Sequence, residues 1–259
     1  MADDRPALLL LPGLLCDRAS WAPVLPALGR HAKCAVADYS SESTLEAMAV
    51  HVLAYAPPRF ALAGHSMGGR VALEVLRRAP GRVTRIALLD TGYRSRADGS
   101  AGDDERTRRL ALLALARDQG MRAMGREWMQ AMVHPQRLRD APLVEAILAM
   151  IERQTPDRYA AQIAALLARP DVADLLRSVR VPALVACGRD DAWSALPQHE
   201  EIAALVPGSR LAVFDRCGHM APMEQPDAVA SALIAWLAMD ATGASGADDR
   251  RLPSRHATG

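Results

Sequence analysis

Short apolar runs alternate with segments of helical periodicity in the first and last thirds of the chain. The apolar runs predict strands at residues 7–11, 34–37, 59–63, 83–89, 181–187 and 210–214. The segments between and after them predict helices at residues 21–28, 44–56, 67–79, 197–206 and 227–237. Apolar strands that alternate with helices are typical of a parallel sheet covered on both faces. We therefore expect an α/β fold, with a mostly parallel sheet of about six strands flanked by helices.

The middle of the chain has no strand pattern. It carries helical stretches at residues 107–117, 121–133, 142–154 and 156–168. This predicts an α/β core formed by residues 1–92 and 179–239, a helical cap inserted at residues 93–178, and a polar, disordered tail at residues 240–259. The insertion follows the end of a strand, so we expect the cap to lie over the face where α/β sheets bind ligands.

The composition narrows the classes of function. The chain has 259 residues and a formal net charge of +1, which gives no electrostatic reason to expect nucleic acid or an anionic membrane surface as a partner. No apolar run approaches the roughly 18 residues of a membrane span, and the N-terminus lacks the basic start of a signal peptide. The four cysteines show no metal-binding spacing. We expect a cytoplasmic protein, a monomer or homodimer, without a metal or other cofactor.

The segment GHSMGG carries the strongest chemical signal. Ser66 lies in a G-x-S-x-G pattern between an apolar strand and an apolar helix, which is the context of a nucleophile elbow. Such a turn strains the backbone of the serine, and glycine at positions 64 and 68 avoids side-chain collisions with the neighbouring strand and helix. We predict that Ser66 is a nucleophile exposed at the N-terminus of a helix.

A serine hydroxyl needs a general base within hydrogen-bonding distance. His219 follows the predicted strand at residues 210–214 and therefore lies at the same edge of the sheet as Ser66. His65 is adjacent to the serine, but its side chain points elsewhere in such a turn. His219 is therefore the predicted base.

The base in turn needs a carboxylate that fixes its tautomer. The loop CGRDDAW offers Asp190 and Asp191, and the order serine, aspartate, histidine matches this arrangement. The spacing from Gly188 favours Asp191. Asp190 remains an alternative, and Asp90 is a more distant one whose expected role is to anchor a loop.

Two backbone amides should stabilise the oxyanion that forms during acyl transfer. The amide of Met67 follows the nucleophile, and a second should come from the loop after the first strand. Gly13 lets that loop turn, which favours the amide of Leu14, with Leu15 as an alternative.

The segments LLLLPG, GHSMGG, GRDDAW and GHMAPMEQP, in this order, resemble the α/β-hydrolase superfamily from about residue 7 to residue 237. The chain looks closest to its small capped carboxylesterases, including the pimeloyl-ACP methyl ester esterase type. The resemblance implies the α/β-hydrolase fold, a serine–histidine–aspartate triad and a helical cap. Because the chain begins near the family's third strand, six strands are expected rather than eight.

The expected activity is hydrolysis of carboxylic esters or thioesters through an acyl-enzyme on Ser66. The substrate is expected to be a small apolar acyl ester. Candidate walls of its pocket are Leu15, Trp128, Met132, Trp193 and Met220. The methionines of the insertion also fit simple packing between helices.

Two other classes of function stay open. The same triad serves cofactor-free lyases and carbon–carbon bond hydrolases, and the segment GGR at residues 68–70 is similar to lyases of menaquinone biosynthesis that use this fold. A non-catalytic ligand-binding protein with the same fold is the alternative outside enzymes.

Overall fold

A single sheet of parallel strands forms the centre of the protein. The structure is a computed structural model that describes residues 4–240. The strands lie side by side in the order β2-β1-β3-β4-β5-β6. Their bounds are β1 Ala7–Leu11, β2 Lys33–Val36, β3 Phe60–His65, β4 Val83–Leu89, β5 Ala183–Gly188 and β6 Arg210–Phe214. The predicted α/β class and the six parallel strands are confirmed.

Helices cover both faces of the sheet because successive strand residues point to opposite sides. Along β1, Leu9 and Leu11 belong to one buried cluster, whereas Leu8 and Leu10 belong to the other. The first cluster takes residues from α3 (Leu45–Tyr55), α4 (Met67–Arg78) and α10 (Leu196–Leu205). The second takes residues from α1 (Arg18–Trp21), α2 (Leu25–Leu28) and α12 (Pro226–Leu237).

One helix prediction needs correction. Residues 21–28 form the end of α1 and a separate α2 rather than one helix. Pro23 and Pro26 lack the backbone N–H that a continuous helix would need, so the chain turns and a new helix begins. The short helix α11 (Ala221–Glu224) was not predicted.

The segment between β4 and β5 is helical. It contains α5 (Gly99–Gln119), α6 (Met121–Met132), α7 (Ala141–Glu152), α8 (Pro156–Leu167) and α9 (Ala173–Arg177). Helix α5 begins earlier than the predicted residue 107 and includes the polar stretch GSAGDDER. The methionines of this segment are all buried, which agrees with packing between helices: Met121, Met124, Met129, Met132 and Met150.

Two further predictions concern membrane-spanning helices and the C-terminal tail. Within residues 4–240, no helix is both long and apolar enough to span a bilayer. The predicted disordered tail lies outside the described residues, apart from residue 240.

Candidate active site

Ser66 occupies a strained turn between β3 and α4. Its backbone has φ 55° and ψ −118°, in the positive-φ range that side chains rarely adopt. A Cβ atom on Gly64 would collide with the carbonyl of Gly68, and one on Gly68 would collide with the carbonyl of Leu11. The two glycines are therefore needed for the close approach of helix, turn and strand, as the sequence predicted.

The structure brings together the predicted nucleophile, base and acid. His219 Nε2 lies 2.8 Å from Ser66 Oγ, and His219 Nδ1 lies 2.8 Å from Asp191 Oδ2. The Asp191 carboxylate accepts a hydrogen bond from the Nδ1–H group of His219. Nε2 of His219 is then unprotonated and can accept the serine proton. The side chains lie in loops after β3, β5 and β6, whose carboxyl ends meet at one edge of the sheet.

Asp191 is held as an ionised carboxylate. Its second oxygen, Oδ1, accepts hydrogen bonds of 2.8 Å from the amides of Trp193 and Ser194. Burial alone would raise the pKa of Asp191, but the charge and hydrogen bond of His219 and these two amides lower it below its ordinary value. The group is thus negative at neutral pH and can stabilise a protonated histidine.

The alternative acids face other partners. The Asp190 side chain is 44% exposed and lies 3.6 Å from His134 Nε2 rather than at the ring of His219. Asp90 Oδ1 accepts the Gly188 amide at 2.8 Å, which is the loop-anchoring role expected of it. Neither carboxylate makes a hydrogen bond to His219 among the described residues.

Two backbone amides beside Ser66 are available as donors. Within residues 4–240, the amides of Leu14 and Met67 donate to no acceptor. The amide of Leu15 instead donates to Gln162 Oε1 at 2.9 Å, so it is not available as the alternative oxyanion donor. A Cβ on Gly13 would lie 3.2 Å from Ser66 Cβ, which shows how closely this loop packs on the turn.

Comparison with known proteins decides the family. The family described as "Alpha/beta hydrolase family" matches residues 8–232. The chain belongs to this family. A pimeloyl-[acyl-carrier protein] methyl ester esterase of Aromatoleum aromaticum is 30% identical over 86% of this chain and 95% of that protein. A 2-hydroxy-6-oxo-6-phenylhexa-2,4-dienoate hydrolase of Burkholderia cepacia is 27% identical over 68% of this chain and 62% of that protein.

Solved structures agree with this assignment. A thermophilic esterase from Thermogutta terrifontis, solved with malate bound, superposes with a TM-score of 0.78 and 28% identity, over 91% of each chain. The enol-lactonase from Burkholderia xenovorans LB400 shares the fold, with a TM-score of 0.80, 23% identity and coverage of 92% and 93%. The sequence-based resemblance to the α/β hydrolases is thus confirmed.

His65 supports the histidine loop of this α/β hydrolase instead of acting as a base. Its Nε2 donates to the carbonyl oxygen of His219 at 2.7 Å, and its ring is buried. Burial and the neighbouring His219 lower the pKa of His65 to about 3, so the ring stays neutral. This matches the expectation that His65 points away from the serine.

Glu224 fixes the same loop, and the sequence reasoning missed it. Its carboxylate is buried and accepts hydrogen bonds from the amides of Gly218, Met220 and His134, at 3.1, 3.0 and 2.9 Å. The first two amides flank His219, and the third belongs to the helical insertion. The only signal in the sequence is an acidic residue in the apolar, proline-containing segment after His219.

An apolar cavity of about 400 Å³ lies between Ser66 and the helical insertion. Four predicted pocket residues line it together with Ser66 and His219: Trp128, Met132, Trp193 and Met220. The prediction that Leu15 lines this pocket is wrong. Leu15 is buried outside the lining, on the loop whose amide donates a hydrogen bond to Gln162. Five further apolar residues line the cavity and were not predicted from the sequence: Cys16, Leu112, Leu115, Tyr159 and Leu166. Of these, Leu112 and Leu115 lie on α5.

Proposed function

We propose that the protein is a serine hydrolase that cleaves carboxylic esters through an acyl-enzyme on Ser66, without a cofactor. The observation that carries this proposal is the continuous hydrogen-bond chain from Ser66 through His219 to Asp191, with both links at 2.8 Å. The esterase names of several relatives support the same reaction class. Thioesters undergo the same acyl transfer and belong to the proposed substrate range.

In the first half-reaction, Ser66 Oγ attacks the ester carbonyl carbon while His219 Nε2 takes the hydroxyl proton. The carbonyl oxygen becomes an oxyanion, for which the free amides of Leu14 and Met67 are the proposed donors. Asp191 stabilises the imidazolium that forms. The tetrahedral intermediate then collapses: the bond to the leaving alkoxide breaks, and His219 gives that oxygen its proton.

In the second half-reaction, water replaces the alcohol. His219 removes a proton from this water as it attacks the acyl carbon of the ester on Ser66. A second oxyanion forms at the same amides. Its collapse breaks the bond to Ser66 Oγ, which recovers its proton from His219, and the free acid leaves.

Substrate size follows from the apolar cavity beside Ser66. A volume of about 400 Å³ lies within the usual range for small-molecule sites, and most of its lining residues are apolar. We infer that an apolar part of a small ester occupies it. The helical segment that supplies Trp128 and Met132 acts in this proposal as a cap over the sheet.

Labelling with a fluorophosphonate tests the proposal against a non-catalytic ligand-binding role. The expected result is one phosphonyl adduct on the peptide that contains Ser66, and no adduct in Ser66→Ala. The thermal unfolding temperature of both proteins serves as the control for folding. A folded wild-type protein that resists labelling and does not hydrolyse p-nitrophenyl esters would overturn the proposal.

A further inference from the structure

A second cavity, of about 570 Å³, opens on the other side of Ser66. It shares six lining residues with the apolar cavity, among them Ser66, Trp193 and two arginines of α5, Arg108 and Arg109. Both cavities therefore border the nucleophile. The second differs in chemistry, because Arg70 and Arg169 also line it.

Glu105 holds two of these arginines in place. Arg169 Nη2 donates to Glu105 Oε2 at 2.7 Å, and Arg109 Nε donates to Glu105 Oε1 at 2.9 Å. The guanidinium of Arg109 also stacks over the Trp193 ring, 4.9 Å from its centre. Because one carboxylate faces two guanidinium groups, this part of the wall keeps a positive charge.

Arg70 adds a charge that is not hydrogen-bonded to a carboxylate. Within residues 4–240, its side chain makes no hydrogen bond or ion pair, although the charges of Glu105 and Asp171 act on it from a greater distance. Its Nη2 lies 2.9 Å from the position that a Cβ atom on Gly92 would occupy, and the side-chain amide nitrogen of Gln198 lies close to the same position. Burial and the nearby Arg169 lower the pKa of Arg70 to about 9, which still leaves it charged at neutral pH. The side chains of Arg70 and Gln198, which both line this cavity, therefore meet at Gly92.

The other acidic group in the lining does not neutralise this charge. Asp90 is fully buried, and its Oδ1 is occupied by the Gly188 amide. Burial and the charge of Asp191 raise the pKa of Asp90 well above its ordinary value. The four arginines outnumber the two lining carboxylates, Glu105 and Asp90, so this wall keeps an excess of positive charge in either protonation state of Asp90.

The position of each cavity relative to His219 decides which half of an ester enters it. The leaving oxygen must take its proton from His219, and His219 lines the apolar cavity but not the arginine-lined one. The acyl half therefore extends past Met67 into the arginine-lined cavity. Arg70 lies four residues after Ser66, about 6 Å along the axis of α4, and both residues line this cavity.

We propose that the arginine-lined cavity binds a carboxylate on the acyl half of the substrate, which makes the preferred substrates monoesters of short dicarboxylic acids. This inference rests on the proposed serine hydrolase function. It replaces the sequence-based expectation of an apolar acyl pocket, because the apolar cavity takes the alcohol half. Guanidinium groups suit this role, since their planar donors match a carboxylate.

The test compares two esters of equal acyl length, mono-p-nitrophenyl glutarate and p-nitrophenyl valerate. Wild type should hydrolyse the glutarate ester with a kcat/KM about 50-fold higher. Arg70→Gln should remove most of this preference by lowering kcat/KM for the glutarate ester alone. Arg77→Gln is the matched control on the same helix, because Arg77 is exposed and paired with Glu74, and it should keep the preference.

Inhibition provides a readout that needs no variant. Free glutarate should inhibit p-nitrophenyl valerate hydrolysis competitively and far more strongly than neutral glutaramide. If wild type hydrolyses the valerate ester but shows neither the preference nor the inhibition, the carboxylate site is wrong and the hydrolase proposal stands. If neither ester is hydrolysed and Ser66 resists fluorophosphonate, the hydrolase proposal itself has failed.

Discussion

The carboxyl edge of the sheet and the helices between β4 and β5 contribute to one site in different ways. At the sheet edge, backbone geometry holds the reacting groups: a strained turn presents Ser66, and backbone amides bind Asp191. The helices contribute side chains, such as Trp128 and Arg109, that line the two cavities. We therefore expect changes at the edge to affect kcat, and changes in the helices to affect KM and selectivity.

Several hydrogen bonds join the two regions. The His219 amide donates to the Met132 carbonyl at 2.7 Å, and Glu224 binds the amide of His134. On the opposite side, Gln162 accepts from the amide of Leu15. The helices thus contact both the loop of the base and the loop of the proposed oxyanion donor.

The largest separable effect is expected at the sheet edge, from Asp191→Asn. An amide in place of the carboxylate favours the wrong tautomer of His219 and no longer balances its positive charge, so kcat should fall about 10⁴-fold with little change in KM. Asp190→Asn is the matched control and should keep kcat within about twofold. Steady-state kinetics on p-nitrophenyl valerate checks both. The reverse ranking would move the acid to Asp190.

A smaller effect is expected where the two regions meet, from Glu224→Gln. The new amide nitrogen cannot accept one of the backbone N–H groups that the carboxylate now binds, so a buried donor loses its partner. Unfolding free energy should drop by about 1–3 kcal/mol, and kcat by about tenfold. Glu145→Gln, an exposed change in the helices, is the control. Loss of stability without loss of kcat would limit Glu224 to a structural role.

The helices alone are tested by Trp128→Ala. Trp128 is buried and lines the apolar cavity, so its removal should raise KM for p-nitrophenyl valerate about tenfold and change kcat less than threefold. Leu110→Ala on the exposed face of α5 should change neither constant. A fall in kcat with an unchanged KM would contradict the proposal that changes in the helices affect KM and changes at the sheet edge affect kcat.

The smallest effect concerns stability at the sheet edge. His199 is buried and its Nε2 accepts the Thr91 amide at 2.9 Å, and burial lowers its pKa to about 4 from an ordinary 6.5. Between these values the unfolded chain binds a proton that the folded chain does not, so this contribution to stability falls as pH falls. From pH 7 to pH 5 it amounts to about 2 kcal/mol.

Urea unfolding of wild type and His199→Gln isolates that contribution, because the glutamine oxygen can still accept the Thr91 amide. His65 contributes to the pH dependence of stability with the same sign as His199, and Asp90 contributes with the opposite sign. Both residues are present in wild type and in His199→Gln, so their contributions cancel in the comparison. Wild type should lose about 2 kcal/mol more than the variant between pH 7 and pH 5. An equal pH dependence would contradict a neutral His199.

Local patterns predicted the sheet and the reacting groups well. The strand at residues 7–11 has the predicted bounds, because a buried parallel strand leaves an uninterrupted apolar run. The strands at residues 83–89 and 210–214 also have the predicted bounds. Ser66 was predictable because the elbow needs glycine at fixed positions. His219 and Asp191 followed from the order of loops along a parallel sheet.

The contacts between distant segments were not predictable in the same way. Gln162 and Leu15 are 147 residues apart, and nothing near either residue marks the hydrogen bond between them. The chain is also rich in arginine, so its sequence does not show which arginines converge. Only the packing of α4, α5 and the end of α8 places Arg70, Arg109 and Arg169 around one cavity.

Trapping of the acyl-enzyme shows whether Ser66 is the nucleophile. Turnover of p-nitrophenyl valerate is quenched with acid within the first cycles, and the digested protein is examined by mass spectrometry. We expect a burst of p-nitrophenol close to one equivalent and a valeryl group on the peptide that contains Ser66, with neither in Ser66→Ala. Sustained hydrolysis by Ser66→Ala, or an acyl group on another residue, would contradict it.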